Sequence, residues 1–225
     1  MQKHLPERVQ KGQGTMRAFT FENATKIYFG GGCVKEHLLE AVMLAYGGGS
    51  IKTNGIYQEV MDVLKLAGKQ VIEFSGIMPN PTYSKVMEGK KVVQENQVDL
   101  ILAVGGGSVM DCSKAISMAA ATDKDVWEEY WIKKGEIDFE PVPVGVIVTV
   151  VGTGSEVNGE GVIPHEEQKI KTSRNYPRCN PVFAMMDPKY TYTVSPLQTA
   201  AGGFDTLSHV FAHDNLVFFP DKTLK

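Results

Sequence analysis

Short apolar runs alternate with amphipathic segments along most of the chain. The runs 41–46 and 100–104 are continuously apolar, which is typical of strands buried on both faces of a sheet. The segment 56–67 instead repeats apolar residues at helical spacing and is followed by Gly68, a residue suited to end a helix. Further strands are predicted at 25–29, 70–74, 143–151 and 181–186, helices at 34–40 and 83–96, and hairpin arms at 158–163 and 168–172. The alternation predicts an α/β fold with a doubly wound parallel sheet.

Two of the predicted strands end in the same sequence, Gly-Gly-Gly-Ser. The first turn consists of Gly47, Gly48, Gly49 and Ser50, and the second turn consists of Gly105, Gly106, Gly107 and Ser108. Glycines let the main chain bend tightly and approach a ligand closely. The second turn also opens a helix, whose free N–H groups and dipole attract anions. The pattern predicts phosphate binding at the carboxyl edge of the sheet, with a tight connection that binds nothing as the alternative.

The residues around the two turns indicate the kind of ligand. Ser50, Lys52 and Asn54 follow the first turn, and a hydroxyl, an ammonium and an amide suit a phosphate better than a ribose diol. The chain therefore favours NADP over NAD, against the alternative of a polar turn with a solvated lysine. Asp111 and Lys114 lie about one turn into the helix after the second turn, can face whatever covers it, and are the candidate catalytic residues.

A later helix carries a candidate metal site. Ser195 and Pro196 are typical of a helix start, as N-cap and first helical residue. Asp205 and His209 follow four residues apart and share a helix face. One carboxylate and one imidazole supply half of a metal site, with further ligands required from elsewhere. An ordinary Asp–His hydrogen bond along the helix is the alternative.

Composition and charge narrow the class of protein. The chain has 225 residues, 43% hydrophobic and 22% charged, as in ordinary globular proteins. A net charge of −3 and an isoelectric point near 6.0 give no support for a nucleic-acid partner. Three widely spaced cysteines favour a reducing cytoplasm, and no apolar run approaches the ~18 residues of a membrane span. The polar residues 1–15 are expected to be a disordered extension outside the fold.

Five separate motifs, in order and spacing, resemble those of the iron-containing (group III) alcohol dehydrogenases, in particular their NADP-dependent butanol dehydrogenase-like branch. The resemblance extends over about residues 17–211. The motifs are Tyr46-Gly47-Gly48-Gly49-Ser50-Ile51-Lys52, Pro79-Asn80-Pro81, Gly105-Gly106-Gly107-Ser108 with Asp111 and Lys114, Gly152-Thr153-Gly154-Ser155-Glu156, and Gly202-Gly203-Phe204-Asp205 with His209.

The resemblance implies a dehydroquinate synthase-like fold, with an α/β dinucleotide domain followed by a helical metal domain. It implies that the second turn holds the pyrophosphate, that the first turn meets the adenosine side with its 2′-phosphate, and that Asn80 belongs to the cofactor site. Thr149, Thr153 and Ser155 would line the route to the nicotinamide. Asp205 and His209 would be two of four ligands of Fe²⁺ or Zn²⁺, which would polarise a small alcohol or aldehyde substrate during hydride transfer.

The tail departs from the family pattern after about Phe211. The expected domains are therefore 16–194 for the dinucleotide domain and 195–225 for only the first helix of the metal domain. We expect the chain to bind its metal poorly, to have little activity alone, and to expose an apolar helix face that favours self-association, for example as a homodimer. The other metal ligands would come from the family's later helices, and His213 is a weak substitute for one of them.

A non-catalytic nucleotide-binding or assembly module is the alternative function. Glycerol dehydrogenases and lyases of this fold fit the Ser50-Ile51-Lys52 run less well.

Overall fold

The computed structural model describes residues 23–33 and 43–218. The predicted extension 1–15 and the predicted helix 34–40 lie outside the described residues, as does the side chain of His213. The central sheet contains β1 (Lys26–Phe29), β2 (Met43–Tyr46), β3 (Ile72–Phe74), β4 (Ile101–Gly105), β5 (Val144–Val148) and β8 (Phe183–Met186). A separate hairpin consists of β6 (Glu160–His165) and β7 (Ile170–Asn175).

The helices predicted at 56–67, at 83–96, after the second turn and from Pro196 are present, and a short helix after the first turn was not predicted. The helices are α1 (Ser50–Thr53), α2 (Ile56–Leu66), α3 (Tyr83–Glu95), α4 (Gly107–Ala120) and α5 (Pro196–Phe218). A π-helix spans Trp127–Ile132, and 3₁₀ turns span Ser155–Val157, Pro177–Cys179 and Pro188–Thr191. Within the described residues, none of the helices is both long and apolar enough to cross a membrane.

All strand pairs of the central sheet are parallel, in the order β1-β8-β5-β4-β2-β3. The predicted doubly wound parallel sheet is confirmed. From β2 the chain adds β3 on one side, and then crosses to add β4 and β5 on the other. The strand order therefore reverses between β2 and β4, and the carboxyl ends at such a switch point frame a ligand crevice.

The sheet is buried on both faces, which explains the continuously apolar strands. Alternate residues of each strand enter opposite cores: Met43 and Ala45 pack with α3 and α4, whereas Leu44 packs with α2. Each of these three strand side chains is at most 1% exposed. Helices are therefore held against both faces, and both glycine turns are anchored to the most buried strands of the sheet.

Several boundaries differ from the sequence prediction by one to three residues; β3 and β8, for example, begin two residues later than predicted, at Ile72 and Phe183. The strand predicted at 143–151 ends at Val148, because the chain bends away after the Thr149 N–H donates to the Gly105 carbonyl at 3.0 Å. The hairpin arms lie about two residues later than predicted, since the turn between them falls at residues 166–169. None of these shifts moves a motif away from the carboxyl edge of the sheet.

Candidate nucleotide and metal site

The first turn (residues 47–50) follows β2 and leads into the short helix α1. Gly49 lies at its N-cap with a φ of 109°, a backbone conformation that side chains strongly disfavour. A Cβ atom added at Gly48 or Gly49 would meet nothing within 4 Å, so the turn borders open space. Lys52 lies in α1, on the same segment. The first turn thus offers exposed main chain and a nearby ammonium group.

Asn54 makes two hydrogen bonds within the fold, and its predicted contact with a phosphate stays a prediction. Its side-chain oxygen accepts a hydrogen bond from the Ile56 N–H at 3.3 Å, at the start of α2. Its amide nitrogen donates to the Thr193 hydroxyl at 3.2 Å. These contacts hold Asn54 in the connection between α1 and α2 and tie it to a neighbouring loop, whereas the Lys52 ammonium is half exposed beside the turn.

The second turn (residues 105–108) joins β4 to α4 and leaves no room for side chains. A Cβ at Gly105 would lie 2.5 Å from a Val109 methyl carbon, and one at Gly107 would lie 2.9 Å from the Thr153 hydroxyl oxygen. The first N–H groups of α4 have no partner within the helix, as at any helix start. Tight packing behind the turn therefore fixes its main chain, while the helix start presents donors to an anion.

Asn80 connects the two turns. Its N–H donates to the Ser108 hydroxyl at 3.4 Å, and its φ of 54° is tolerated by asparagine. The preceding segment is hydrogen-bonded to the first turn, with the Gly76 N–H donating to the Gly47 carbonyl at 3.1 Å. The Lys171 ammonium, from β7, donates to the Asn80 side-chain oxygen at 2.6 Å. The motif Pro79-Asn80-Pro81 therefore brings both glycine turns and a second lysine to one edge.

The loop after β5 carries three predicted cofactor residues, which the structure does not bring to one surface. Ser155 is 3% exposed, and its hydroxyl donates to Asp111 at 2.6 Å while accepting from Lys114 at 2.8 Å. Thr153 lies against the second turn, and its hydroxyl accepts the Ser155 N–H at 3.3 Å. The Thr149 N–H donates to the Gly105 carbonyl and so links the end of β5 to the end of β4. Thr153 is therefore the member of the three that directly borders the second turn.

Asp111 and Lys114 lie beneath this loop and not in open space. The second carboxylate oxygen of Asp111 accepts the Val162 N–H at 3.1 Å. Lys114 is 2% exposed and also donates to the Ser155 and Asn158 carbonyls, at 3.0 and 3.1 Å. Burial lowers the pKa of Lys114, and the nearby Asp111 carboxylate opposes that effect. Their predicted catalytic role stays a prediction; their contacts favour a role in positioning the loop.

Helix α5 places the predicted metal ligands next to that loop. A Cβ at Gly202 would lie 2.4 Å from the Val151 carbonyl oxygen, so only glycine permits this close approach. The Asp205 carboxylate lies 3.3 Å from the position of a Cβ on Gly152, and 3.7 Å separates Asp205 Oδ1 from His209 Nε2. Both side chains are about half exposed. Two donors on one face, beside the loop after β5, fit half of a four-ligand metal site.

The described part of the chain contributes no larger metal cluster: within residues 23–33 and 43–218, no three His, Cys, Asp or Glu side chains are grouped closely enough to hold an ion. Cys112 and Cys179 are buried, and burial raises the pKa of each thiol to about 12. These thiols therefore stay protonated and are poor metal ligands. Asp205 and His209 remain the candidate donors.

The β6–β7 hairpin is fastened to the start of α3 by Glu166. Its carboxylate accepts hydrogen bonds from the hydroxyl and the N–H of Ser84, in the first turn of α3. Burial acts to raise the pKa of Glu166, but these hydrogen bonds outweigh it and bring the pKa to about 2. Because Lys171 lies on the same hairpin, this contact helps to hold Lys171 near Asn80.

We expect Glu166→Gln to remove a pH-dependent part of the hairpin's stability. A carboxyl whose pKa falls from 4.5 to about 2 on folding stabilises the fold above pH 4.5 and loses that effect as the pH falls towards 2. The contribution at neutral pH is below about 1 kcal/mol because the group is exposed. Hydrogen exchange of the hairpin amides between pH 5 and 3, with Glu167→Gln as the matched control, checks it; equal pH profiles for all three proteins would contradict it.

Two residues near the turns are absent from the sequence prediction. Lys171 lies in an otherwise unremarkable charged segment, and it reaches Asn80 only because the hairpin folds over α3. Glu73 interrupts the short β3 strand, where a single polar residue carries no recognisable pattern. The available signal was a carboxylate within a predicted strand, since a charged residue there needs partners in the fold.

Comparison with known proteins gives the family context. The family model for iron-containing alcohol dehydrogenases matches residues 24–188. The chain is 42% identical over 203 residues to a probable NADH-dependent butanol dehydrogenase of Bacillus subtilis, covering 87% of this chain and 52% of that protein. It is 38% identical over 200 residues to the NADPH-dependent aldehyde reductase YqhD of Escherichia coli, covering 86% of this chain and 51% of that protein.

A solved structure agrees with these relatives. The crystal structure of an NADH-dependent butanol dehydrogenase A from Thermotoga maritima superimposes with a TM-score of 0.82 at 37% identity, covering 88% of this chain and 51% of that chain. The chain thus spans about half the length of the relatives it matches. The residues that the family model matches, 24–188, include both glycine turns.

Proposed function

We propose that this chain, which belongs to the iron-containing alcohol dehydrogenase family, supplies the nucleotide-binding part and two metal ligands of an NADP(H)-linked alcohol dehydrogenase or aldehyde reductase. The observation that carries the proposal is the pair of glycine turns on β2 and β4, at the point where the strand order reverses. Such a crevice, with open main chain and a helix start, suits a dinucleotide.

Lys52 and Lys171 support NADP as the cofactor. Lys52 is half exposed beside the first turn, and Lys171 lies beside Asn80, between the two turns. Two ammonium groups favour a ligand with several phosphates, and Lys52 would contact a 2′-phosphate on the adenosine side. Of the similar proteins, two are named for NADH and one for NADPH, so their names support a nicotinamide cofactor of either kind.

Asp205 and His209 fit a divalent metal, Fe²⁺ or Zn²⁺, through one oxygen and one nitrogen donor. When bound, the metal would polarise the oxygen of the alcohol or aldehyde substrate. The residues of the chain act around it: Gly202 lets α5 approach the loop after β5, and that loop carries Thr153 to the second turn. The two candidate metal ligands on α5 therefore lie beside the loop that would border the nicotinamide.

The helix α5 exposes a large apolar surface. Among its described side chains, five large apolar residues are at least 49% exposed: Leu197, Phe204, Leu207, Val210 and Phe211. A face of this kind favours association with another protein surface, including a second copy of the chain. A metal held by two exposed ligands and a cleft open to water also predict weak metal binding and little hydride transfer by this chain alone.

We expect Zn²⁺ to bind weakly at α5 and to depend on both predicted ligands. In a calorimetric titration, Asp205→Ala with His209→Ala should remove the binding that the unaltered chain shows, because the described residues contain no group of three His, Cys, Asp or Glu side chains that could hold the ion elsewhere. His165→Ala, which removes a histidine on the hairpin, is the matched control and should leave binding unchanged. The unaltered chain should reduce butanal with NADPH at most marginally after Fe²⁺ or Zn²⁺ is added.

Two results would contradict the proposal. Zn²⁺ binding that survives the loss of both Asp205 and His209 would place the metal elsewhere. Saturable, metal-dependent reduction of butanal by this chain alone would show that its site is already complete. Nucleotide binding without any metal binding would favour the second candidate, a non-catalytic nucleotide-binding module.

A further inference from the structure

Four side chains form a hydrogen-bonded group beside the first turn, here called the Glu73 cluster: Tyr46, Lys52, Tyr57 and Glu73. The hydroxyls of Tyr46 and Tyr57 each donate to a different oxygen of the Glu73 carboxylate, both at 2.6 Å. The Lys52 ammonium lies 3.4 Å from the oxygen that Tyr46 also contacts. One carboxylate therefore joins the end of β2, the helix α1 and the helix α2.

The cluster encloses Lys52 on several sides. Its ammonium lies 4.5 Å from the ring centre of Tyr57 and 5.2 Å from that of Tyr46, within the range of cation–π attraction. The two rings meet edge to face at 5.8 Å. Lys52 and Glu73 are nevertheless 48% and 41% exposed, so the pair is reachable from the open side of the first turn.

The charge of the pair bears on the choice of cofactor. NADPH differs from NADH by one phosphate, which carries about −1.5 to −2 charges at neutral pH. Lys52 alone would attract that phosphate, but Lys52 paired with Glu73 has no net charge. Two tyrosine hydroxyls stabilise the ionised carboxylate, and their hydrogen bonds lower the pKa of Glu73, Tyr46 contributing most. Glu73 therefore stays negative and holds Lys52 at the pH where the cofactor binds.

We propose that Glu73 is a positioning residue that sets the preference between NADPH and NADH by holding and partly neutralising Lys52. The inference rests on the proposed function, since it requires the adenosine end of a nicotinamide cofactor at the first turn. Lys52 would raise the affinity for NADPH above that for NADH. Glu73 would reduce this difference by offsetting the charge of Lys52. The balance of the two residues, and not the lysine alone, determines selectivity.

The test compares dissociation constants for NADPH and NADH in the whole chain by calorimetry. Glu73→Gln removes the negative charge but retains the shape, so the preference for NADPH should rise about three- to fivefold, as for an exposed charge pair. The affinity for NADH, which has no 2′-phosphate, should not change. Lys52→Met should remove the preference, and the preference of Lys52→Met combined with Glu73→Gln should stay well below that of Glu73→Gln alone.

Controls separate selectivity from stability. Glu95→Gln removes another exposed, lysine-paired carboxylate, at the far end of α3, and should leave both affinities unchanged. Raising the salt concentration should weaken NADPH binding more in Glu73→Gln than in the unaltered chain. If Glu73→Gln does not fold, Glu73→Asp retracts the charge from Lys52 and should shift the preference in the same direction by less.

The outcomes distinguish this inference from the proposed function. If the unaltered chain binds neither nucleotide, the proposed function fails. If it binds both but the Glu73 variants keep its preference, or change both affinities equally, Glu73 is structural and the inference is overturned. A loss of NADH affinity alone would also overturn it, because Glu73 would then contact the ribose itself.

Discussion

Replacing Lys114 with methionine should lower the free energy of unfolding by about 3–5 kcal/mol, the usual cost of removing one partner from a buried charged group. The ammonium is 2% exposed and lies 3.6 Å from Asp111, besides its hydrogen bonds to Ser155 and Asn158. Methionine fills similar space, but it cannot donate hydrogen bonds to the Ser155 and Asn158 carbonyls or offset the charge of the Asp111 carboxylate. Since a domain of this size is stable by about 5–15 kcal/mol, the loss is a large share.

Urea unfolding followed by circular dichroism measures this effect. The matched control is Lys124→Met, which removes an exposed lysine that contacts Asp138 at 3.2 Å and should leave the unfolding midpoint unchanged. The Lys114 variant should also bind nucleotide more weakly, because the loop carrying Thr153 loses its attachment to α4. A decrease of less than about 1 kcal/mol would show that the network is dispensable, since that is the scale of a single ordinary hydrogen bond.

Replacing Gly107 with valine should weaken NADPH binding by about 100-fold or more, equivalent to roughly 2.7 kcal/mol. A Cβ there would lie 2.9 Å from the Thr153 hydroxyl oxygen and 3.4 Å from its methyl carbon. The larger side chain must displace the Thr153 loop or occupy the approach to the first N–H groups of α4. Either change removes the close main-chain approach on which phosphate binding at a helix start depends.

Gly31→Val is the matched control, because Gly31 lies in the glycine run after β1 and a Cβ there meets nothing within 4 Å. It should bind NADPH as the unaltered chain does. Far-ultraviolet circular dichroism should show both variants folded, since the cores on either side of the sheet are untouched. An affinity of Gly107→Val equal to that of the control would place the phosphates away from the second turn.

The sheet and its glycine turns were predictable because they depend on local pattern. Continuous apolar runs such as 100–104 report burial on both faces, and a turn that admits only glycine leaves its mark in the sequence. The Asp205–His209 spacing is likewise local, and the structure places both on one exposed face of α5. In each case a few neighbouring residues determine the conformation.

The environment of Lys114 was not predictable in the same way. Its partners Ser155 and Asn158 lie 41 and 44 residues away in sequence, and they cover it only because the segment after β5 folds over α4. Glu73 and Tyr57 meet across 16 residues, between a strand and a helix. Helical spacing places a charged residue on a face, but what lies over that face depends on tertiary packing.

Isothermal titration of the unaltered chain with NADPH, and separately with NADH, tests most directly whether the two glycine turns form a nicotinamide nucleotide site. We expect one molecule of either nucleotide to bind per chain, with NADPH tighter and a dissociation constant of about 1–100 μM, corresponding to roughly −8 to −5.5 kcal/mol. Absence of binding by both nucleotides at millimolar concentration, in a sample that circular dichroism shows to be folded, would contradict it.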